Sequence, residues 1–217
     1  MIILYEDQEI LVVEKPASMA VESRKLSSPD LISQIRNHLA LPGQGIPYVG
    51  MVHRLDQPVQ GILVFAKTKK AASILSAQVQ DGRMEKLYLA VTTGIPSPKT
   101  GHLRHYLLKD GQTNTSKAVP EGTKGAKLSR LDYEVLQESE GTALVKIHLL
   151  TGRHHQIRVQ FSAIGCPLWG DGKYGAAPDG NGIALCAASL SFLHPSSKKR
   201  LTFAAAPAHT AFRKFSF

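Results

Sequence analysis

Short apolar runs, split by charged or turn-forming residues, dominate this chain. Residues 1–4 and 10–13 flank Glu6-Asp7-Gln8-Glu9, a pattern that predicts a hairpin ended by Lys15-Pro16. Ser28-Pro29-Asp30 offers an N-cap, a proline at the first helical position and an early acid. Leu31, Ile35 and Leu39 then recur at helical spacing, which predicts a helix over 29–40. Residues 62–66 read as a short buried strand. Thr68 caps a second predicted helix, with Ala71, Ile74, Leu75 and Val79 on one face and Gly82 as its stop. Over 86–93, Leu87, Leu89 and Val91 alternate with Lys86, Tyr88 and Ala90, which predicts a half-buried strand.

From 94 to 127 the pattern dissolves into Gly, Pro, Thr, Lys and Asn. A weak strand over 103–108 inside a long, basic, mobile excursion is expected there, and such loops are often functional. Residues 131–136 and 143–150 predict a hairpin turning at Glu138-Ser139-Glu140-Gly141. A helix is expected from about His154, with Ile157, Phe161 and Ile164 inward and Gly165 as its stop. Residues 183–192 and 201–204 read as two closing strands. Strands in hairpins with a few helices between them define an α+β class with a mixed or mostly antiparallel sheet. No repeat or linker divides the chain, so a single domain over 1–217 is expected.

Composition narrows the partner. Among 217 residues, 43% are hydrophobic, enough for a core. Lys and Arg number 26 against 17 Asp and Glu, a formal charge of +9, which favours a polyanion such as RNA. Aromatics are only 6%, too few for a broad single-strand stacking platform. Cys166 and Cys186 lack the spacing of a disulfide framework or a zinc site. The N-terminal segment has acids at Glu6, Asp7 and Glu9 and no charged-then-apolar leader, so no signal peptide is expected, and no apolar run approaches the roughly 20 residues of a membrane span. A cytoplasmic protein, monomeric, without cofactor or metal, is the resulting expectation.

Three segments carry candidate chemistry. His53-Arg54-Leu55-Asp56 sets a carboxylate in basic company between a turn-forming stretch and a strand. A turn role ahead of Pro58 is the ordinary use of such an Asp. Beside Arg54 an ionised carboxylate suits a nucleophile or electrostatic stabiliser better than a general acid. Lys86 and Tyr88, two apart on a strand, share one face. Tyr88 is a core residue unless that face lines a cleft, where it would stack on a base and offer its hydroxyl as a proton acceptor. In Thr151-Gly152-Arg153-His154-His155-Gln156-Ile157-Arg158, helical spacing groups His154, His155 and Arg158 for contact with phosphate or carboxylate. Adjacent histidines without a nearby carboxylate do not suit a metal ion. Gly170-Asp171-Gly172-Lys173-Tyr174-Gly175 is glycine-rich but matches no nucleotide-binding register.

Together these segments resemble the RluA family of RNA pseudouridine synthases. The likeness runs from Val12-Val13-Glu14-Lys15-Pro16, through His53-Arg54-Leu55-Asp56 and Lys86-Leu87-Tyr88-Leu89-Ala90, to Leu193-His194-Pro195. It implies the pseudouridine synthase fold, an α+β domain with a bifurcated central sheet, and isomerisation of uridine in ribosomal or transfer RNA without cofactor or metal. By position it makes Asp56 the catalytic aspartate, Tyr88 the stacking tyrosine and Arg158 its basic partner. It makes Arg54 the residue that fills the gap left by a flipped base. His53, Lys86, Arg153 and His155 are expected to bind substrate. Val59-Gln60 stands where the family often has Thr-Ser, and His154 where it often has Thr. A non-catalytic RNA-binding protein is the alternative reading.

Overall fold

The computed structural model describes residues 1–23 and 30–216. The first hairpin forms from β1 (Ile2–Glu6) and β2 (Ile10–Lys15), antiparallel with Glu6 opposite Leu11. Asp7 makes its turn, its Oδ1 accepting the backbone N–H of Glu9 and Ile10 at 2.8 Å each. Helix α1 (Leu31–Leu39) is shorter than the apolar spacing predicts, and its N-cap is Asp30, which accepts from the N–H of Ser33. The acid expected inside the first turn is therefore the cap itself. The cap and proline expected at Ser28 and Pro29 lie outside the described residues.

A two-residue strand β3 (Gly50–Met51), not anticipated from the sequence, pairs with β4 (Gln60–Ala66). Helix α2 (Lys69–Gln80) starts on Thr68, whose hydroxyl accepts from Ala71 N–H, and is followed by Gly82 in the left-handed region. Strand β5 (Glu85–Thr93) follows. The stretch read as a mobile excursion is instead ordered. Strands β6 (Thr100–Asp110) and β7 (Thr115–Val119) form an antiparallel hairpin, and β6 also pairs along β8 (Lys127–Ser139). Strand β9 (Thr142–Leu149) returns from β8 through Glu140-Gly141, both at positive φ, as a two-residue hairpin turn requires. Helix α3 is Gln156–Ala163, then come β10 (Leu185–Leu193), β11 (Arg200–Ala204) and a 3₁₀ turn at Thr210–Lys214.

The chain divides into two compact units, 1–85 with 187–206, and 86–186 with 207–217. In the first the strand order is β1-β2-β4-β10, with β11 on β10 and β3 on β4. Strands β2 and β4 are buried nearly end to end, as in a sheet covered on both faces. Ile10, Val12, Ile62, Val64, Leu75, Leu190 and Phe192 form one core cluster. Gly61 sits at φ 137°, and a Cβ there would lie 2.4 Å from the carbonyl oxygen of Ala187. Gly61→Ala is expected to cost at least about 3 kcal/mol, from strain and overpacking together. A chemical denaturation midpoint equal to wild type would contradict this.

In the second unit the order is β5-β9-β8-β6-β7. One sheet face carries Tyr88, Ile147, Tyr133, Leu131 and Leu103, all buried, with the Phe161 ring of α3 edge-on to Tyr133 at 5.6 Å. The other face is polar, with charges in register: Glu134 opposite Lys146 at 3.2 Å and His102 opposite Asp132 at 2.6 Å. That alternation is why the "excursion" is sheet. Leu103 and Leu107 face the core while Arg104, next to Leu103, is exposed. Cys166 and Cys186 are both buried and are not disulfide-bonded. No helix among the described residues is long and apolar enough to cross a membrane.

Candidate active site

The aspartate motif belongs to the first unit. Residues 52–59 run from β3 to β4, anchored by buried Leu55 and Val59. His53 is half-buried and its Nε2 accepts the N–H of Val64 at 3.4 Å; Arg54 is exposed and Asp56 half-buried. Asp56 opens a tight turn, its carbonyl accepting from Val59 N–H at 3.0 Å.

What fixes this turn is Lys15, which sequence reading used only as the end of a hairpin. Its side chain is 0% exposed. The ammonium donates to three carbonyls, Pro16 at 3.0 Å, Met19 at 2.8 Å and Gln57 at 3.0 Å. Gln57 in turn donates to the carbonyl of Ser18. A buried lysine thus ties residues 16–19 to the residue after Asp56. Burial pushes its pKa down to about 8, and the nearby Asp56 charge opposes the fall. It is therefore charged at neutral pH. An apolar run ending in a lysine that faces its own sheet is the sequence signal for this clamp.

The clamp has a pH signature. Because the folded pKa lies below the ordinary lysine value, the unfolded chain holds the extra proton between pH 8 and about 10.4, so this group's contribution to stability rises with pH there. Function moves the other way. Above pH about 8 the ammonium neutralises and loosens Gln57, so the single-turnover rate should fall. Lys15→Met should lower the plateau and flatten that alkaline limb. An unchanged limb in the variant would remove Lys15 from this role.

The remaining expected residues, Tyr88, Arg158, Lys86, Arg153 and His155, belong to the second unit. The strand alternation reads in an unexpected sense: Lys86 and Tyr88 are the buried face of β5, while Leu87 and Leu89 are half-exposed. Helix α3 begins two residues later than expected. His154 and His155 precede it, and His155 takes left-handed backbone at φ 54° as its N-terminal flank. The helix buries Gln156 through Phe161, so the grouping of His154, His155 and Arg158 on one helix face is corrected.

Arg158, 4% exposed, forms a bidentate pair with Asp171, Nε to Oδ2 at 2.7 Å and Nη2 to Oδ1 at 2.9 Å. Its guanidinium also lies 4.9 Å from the centre of the Tyr174 ring. The Tyr174 hydroxyl accepts from Ser116 N–H at 2.9 Å and shares a hydrogen bond with His155 Nδ1 at 2.7 Å. His154 stacks on His155 at 3.8 Å and meets the Ser116 hydroxyl at 2.9 Å. Burial first, then the Arg158 and His154 charges, push the His155 pKa down to about 3, so it is neutral throughout the physiological range. Gln156 braces the preceding turn, accepting from Arg153 N–H and the Thr151 hydroxyl and donating to the Arg130 carbonyl. Arg153 is exposed and donates through Nε to the Leu128 carbonyl.

Asp171 and Tyr174 were read only as part of a glycine-rich stretch. The signal was present in that same stretch. Gly170 has φ 78°, and a Cβ there would come 1.9 Å from the Gly182 carbonyl oxygen, so Gly170 holds the turn that delivers Asp171 to Arg158. Asp56 thus lies on a clamped turn of the first unit, while buried Tyr88 and the Arg158–Asp171 pair belong to the second. Among the described residues no group of three or more His, Cys, Asp or Glu is placed to hold a metal ion.

The architecture is that of an α+β protein built on a mixed sheet with few helices. Residues 9–163 match the family described as RNA pseudouridylate synthase. The chain belongs to that family and is an RNA pseudouridine synthase, isomerising uridine in RNA. It is 33% identical to the dual-specificity RNA pseudouridine synthase RluA of Escherichia coli strain K12, over 94% of this chain and 92% of that one. It is 34% identical to the ribosomal large subunit pseudouridine synthase D of Zymomonas mobilis, over 93% of this chain and 67% of that one. The solved structure of human RNA pseudouridylate synthase domain containing 4 shares the fold, with a TM-score of 0.76 at 23% identity, over 95% of this chain and 88% of that one.

Proposed function

We propose that this enzyme modifies specific uridines of a structured ribosomal or transfer RNA in the cytoplasm, as a monomer without metal or cofactor, and that Asp56 is its catalytic carboxylate. The observation that carries the assignment is the Lys15 clamp, which spends a buried charge on fixing the turn next to Asp56. A structural Asp would not need it. Breaking the bond from ribose C1′ to uracil N1 builds positive charge on the sugar, as in glycoside hydrolysis. An ionised carboxylate attacks or stabilises that centre. A hydrolase would also need an acid for the leaving group. Here the detached uracil turns and re-bonds through C5, so N1 gains a proton, C5 loses one, and the product is an isomer.

In this reading Tyr88 stacks on the base and accepts the C5 proton, and Arg158 is the basic residue of the reaction. Exposed Arg54 enters the stack the uridine leaves, offsetting an extrusion cost of a few kcal/mol. His53, Arg153 and His155 hold substrate, and residues 1–217 act as a single catalytic domain. The test uses transcripts of ribosomal RNA and a tRNA pool carrying tritium at uridine C5. Tritium release, with new carbodiimide-dependent primer stops at discrete uridines, is the expected result. RNA that binds tightly yet releases no tritium would leave a binding protein instead.

A further inference from the structure

Among the described residues, the buried lysines and arginines have side-chain partners, with Lys86 the exception. Lys15 has three carbonyls and Arg158 has Asp171. Lys86 is 7% exposed, yet among the described residues its ammonium makes no hydrogen bond or ion pair. A Cβ added at Gly152 would lie 3.8 Å from its Nζ, so the ammonium sits against the Thr151-Gly152-Arg153 turn. Burial lowers its pKa with no opposing carboxylate. A buried charge without a partner is expensive. A fold that satisfies its other buried cations and leaves this one open is built for a partner that arrives from outside.

Two parts of an RNA could supply it, a phosphate or a base. Phosphates stay at the surface and are met by exposed Lys and Arg, of which this chain has many. Lys86 instead projects from the buried face of β5, the face of Tyr88. Two residues along a strand are about 6.6 Å apart, so a pyrimidine lying on the Tyr88 ring brings its edge within reach of the Lys86 stem. We infer that Lys86 hydrogen-bonds an exocyclic oxygen of the flipped uracil and stabilises the negative charge the base carries while detached from the ribose. When the C1′–N1 bond breaks, its electron pair leaves with N1 and spreads over the ring onto those oxygens. An ammonium largely removed from water and already in place acts on that charge with little rearrangement, as oxyanion donors do.

The inference rests on the assignment of Tyr88 as the stacking residue, and goes beyond it by giving the ring edge a recognition partner. The test is Lys86→Met, which keeps the apolar stem. Single-turnover conversion is expected to fall about 100-fold or more. The Kd for RNA and its salt dependence should stay within twofold of wild type. Wild type should also bind RNA with uracil at the target more tightly than RNA with an abasic ribose there, and the variant should lose that preference. Because a costly buried charge is removed, Tm should hold or rise, which separates lost chemistry from lost folding. A uniform loss of affinity with a salt slope reduced by about one would assign Lys86 to a phosphate and overturn the inference. So would a variant as fast as an active wild type, and in that case the proposed function stands. Wild-type protein releasing no tritium would count against the proposed function instead, and equal uracil preference in both proteins would then refute the Lys86 contact independently of turnover.

Discussion

Asp56→Asn is expected to abolish conversion, by about 10⁴-fold or more, the scale on which losing a reacting group is felt. The amide is isosteric but neutral, so it can neither attack a sugar carbon nor stabilise positive charge on it. RNA binding should survive. The attraction of a +9 protein for phosphate does not depend on one carboxylate, and the turn that holds residue 56 is anchored by main-chain carbonyls rather than by the Asp56 side chain. Kd should therefore change by no more than a few-fold while single-turnover tritium release vanishes. Release within tenfold of wild type would remove Asp56 from the chemistry. A matching loss of binding and rate would make it a contact residue rather than a reacting one.

The second large effect is on stability. Asp171→Ala leaves the Arg158 guanidinium buried without its bidentate partner and is expected to cost about 3–5 kcal/mol. For a chain of this size that is a drop in Tm of roughly 6–20 °C. The double variant Arg158→Met, Asp171→Leu should recover much of the loss, because well-packed apolar side chains of similar volume often match a buried ion pair. The two changes should therefore be far from additive. If Arg158 serves the reaction, the recovered protein will be stable but slow. Additive losses in the cycle would show that the pair is not the energetic unit its geometry indicates.

Much of the fold is legible locally. Asp7 makes the first turn, Thr68 caps α2, Gly82 follows its end, and Glu140-Gly141 makes the tight hairpin. Each is a short-range device whose chemistry is complete within a few residues. What escaped is tertiary. Leu103 and Leu107 alternate with residues as polar as His102 and Arg104, so β6 looks like loop until β8 is beside it. Asp30, read as an early acid inside α1, is its N-cap, since a short carboxylate accepts the N–H of Ser33 as well as a serine hydroxyl would. On β5 the core face carries a lysine and the outer face leucines, the reverse of what polarity alone suggests.

The candidate site divides in the same way. Asp56, Tyr88 and Arg158 stood out from their motifs, whereas Lys15 and Asp171 act through groups far along the chain or through backbone, so their local signals do not name their partners. The departure at His154 has a physical reading too. It bridges the Ser116 hydroxyl and Asn114 at the β6–β7 turn, contacts that a shorter threonine could not span.

Neither compact unit is one continuous stretch of polypeptide. Strand β10, next to β4 in the first, is made only after all of residues 86–184, and residues 207–217 return to the second. On a ribosome residues 1–85 therefore emerge with the β4 edge that β10 covers still open, and wait until residues 86–184 have been made. Such an edge invites wrong pairings. Cutting the gene at the boundary between the units would accordingly yield insoluble halves rather than two working modules, and slowed translation between codons 86 and 186 would prolong that exposure in the nascent chain.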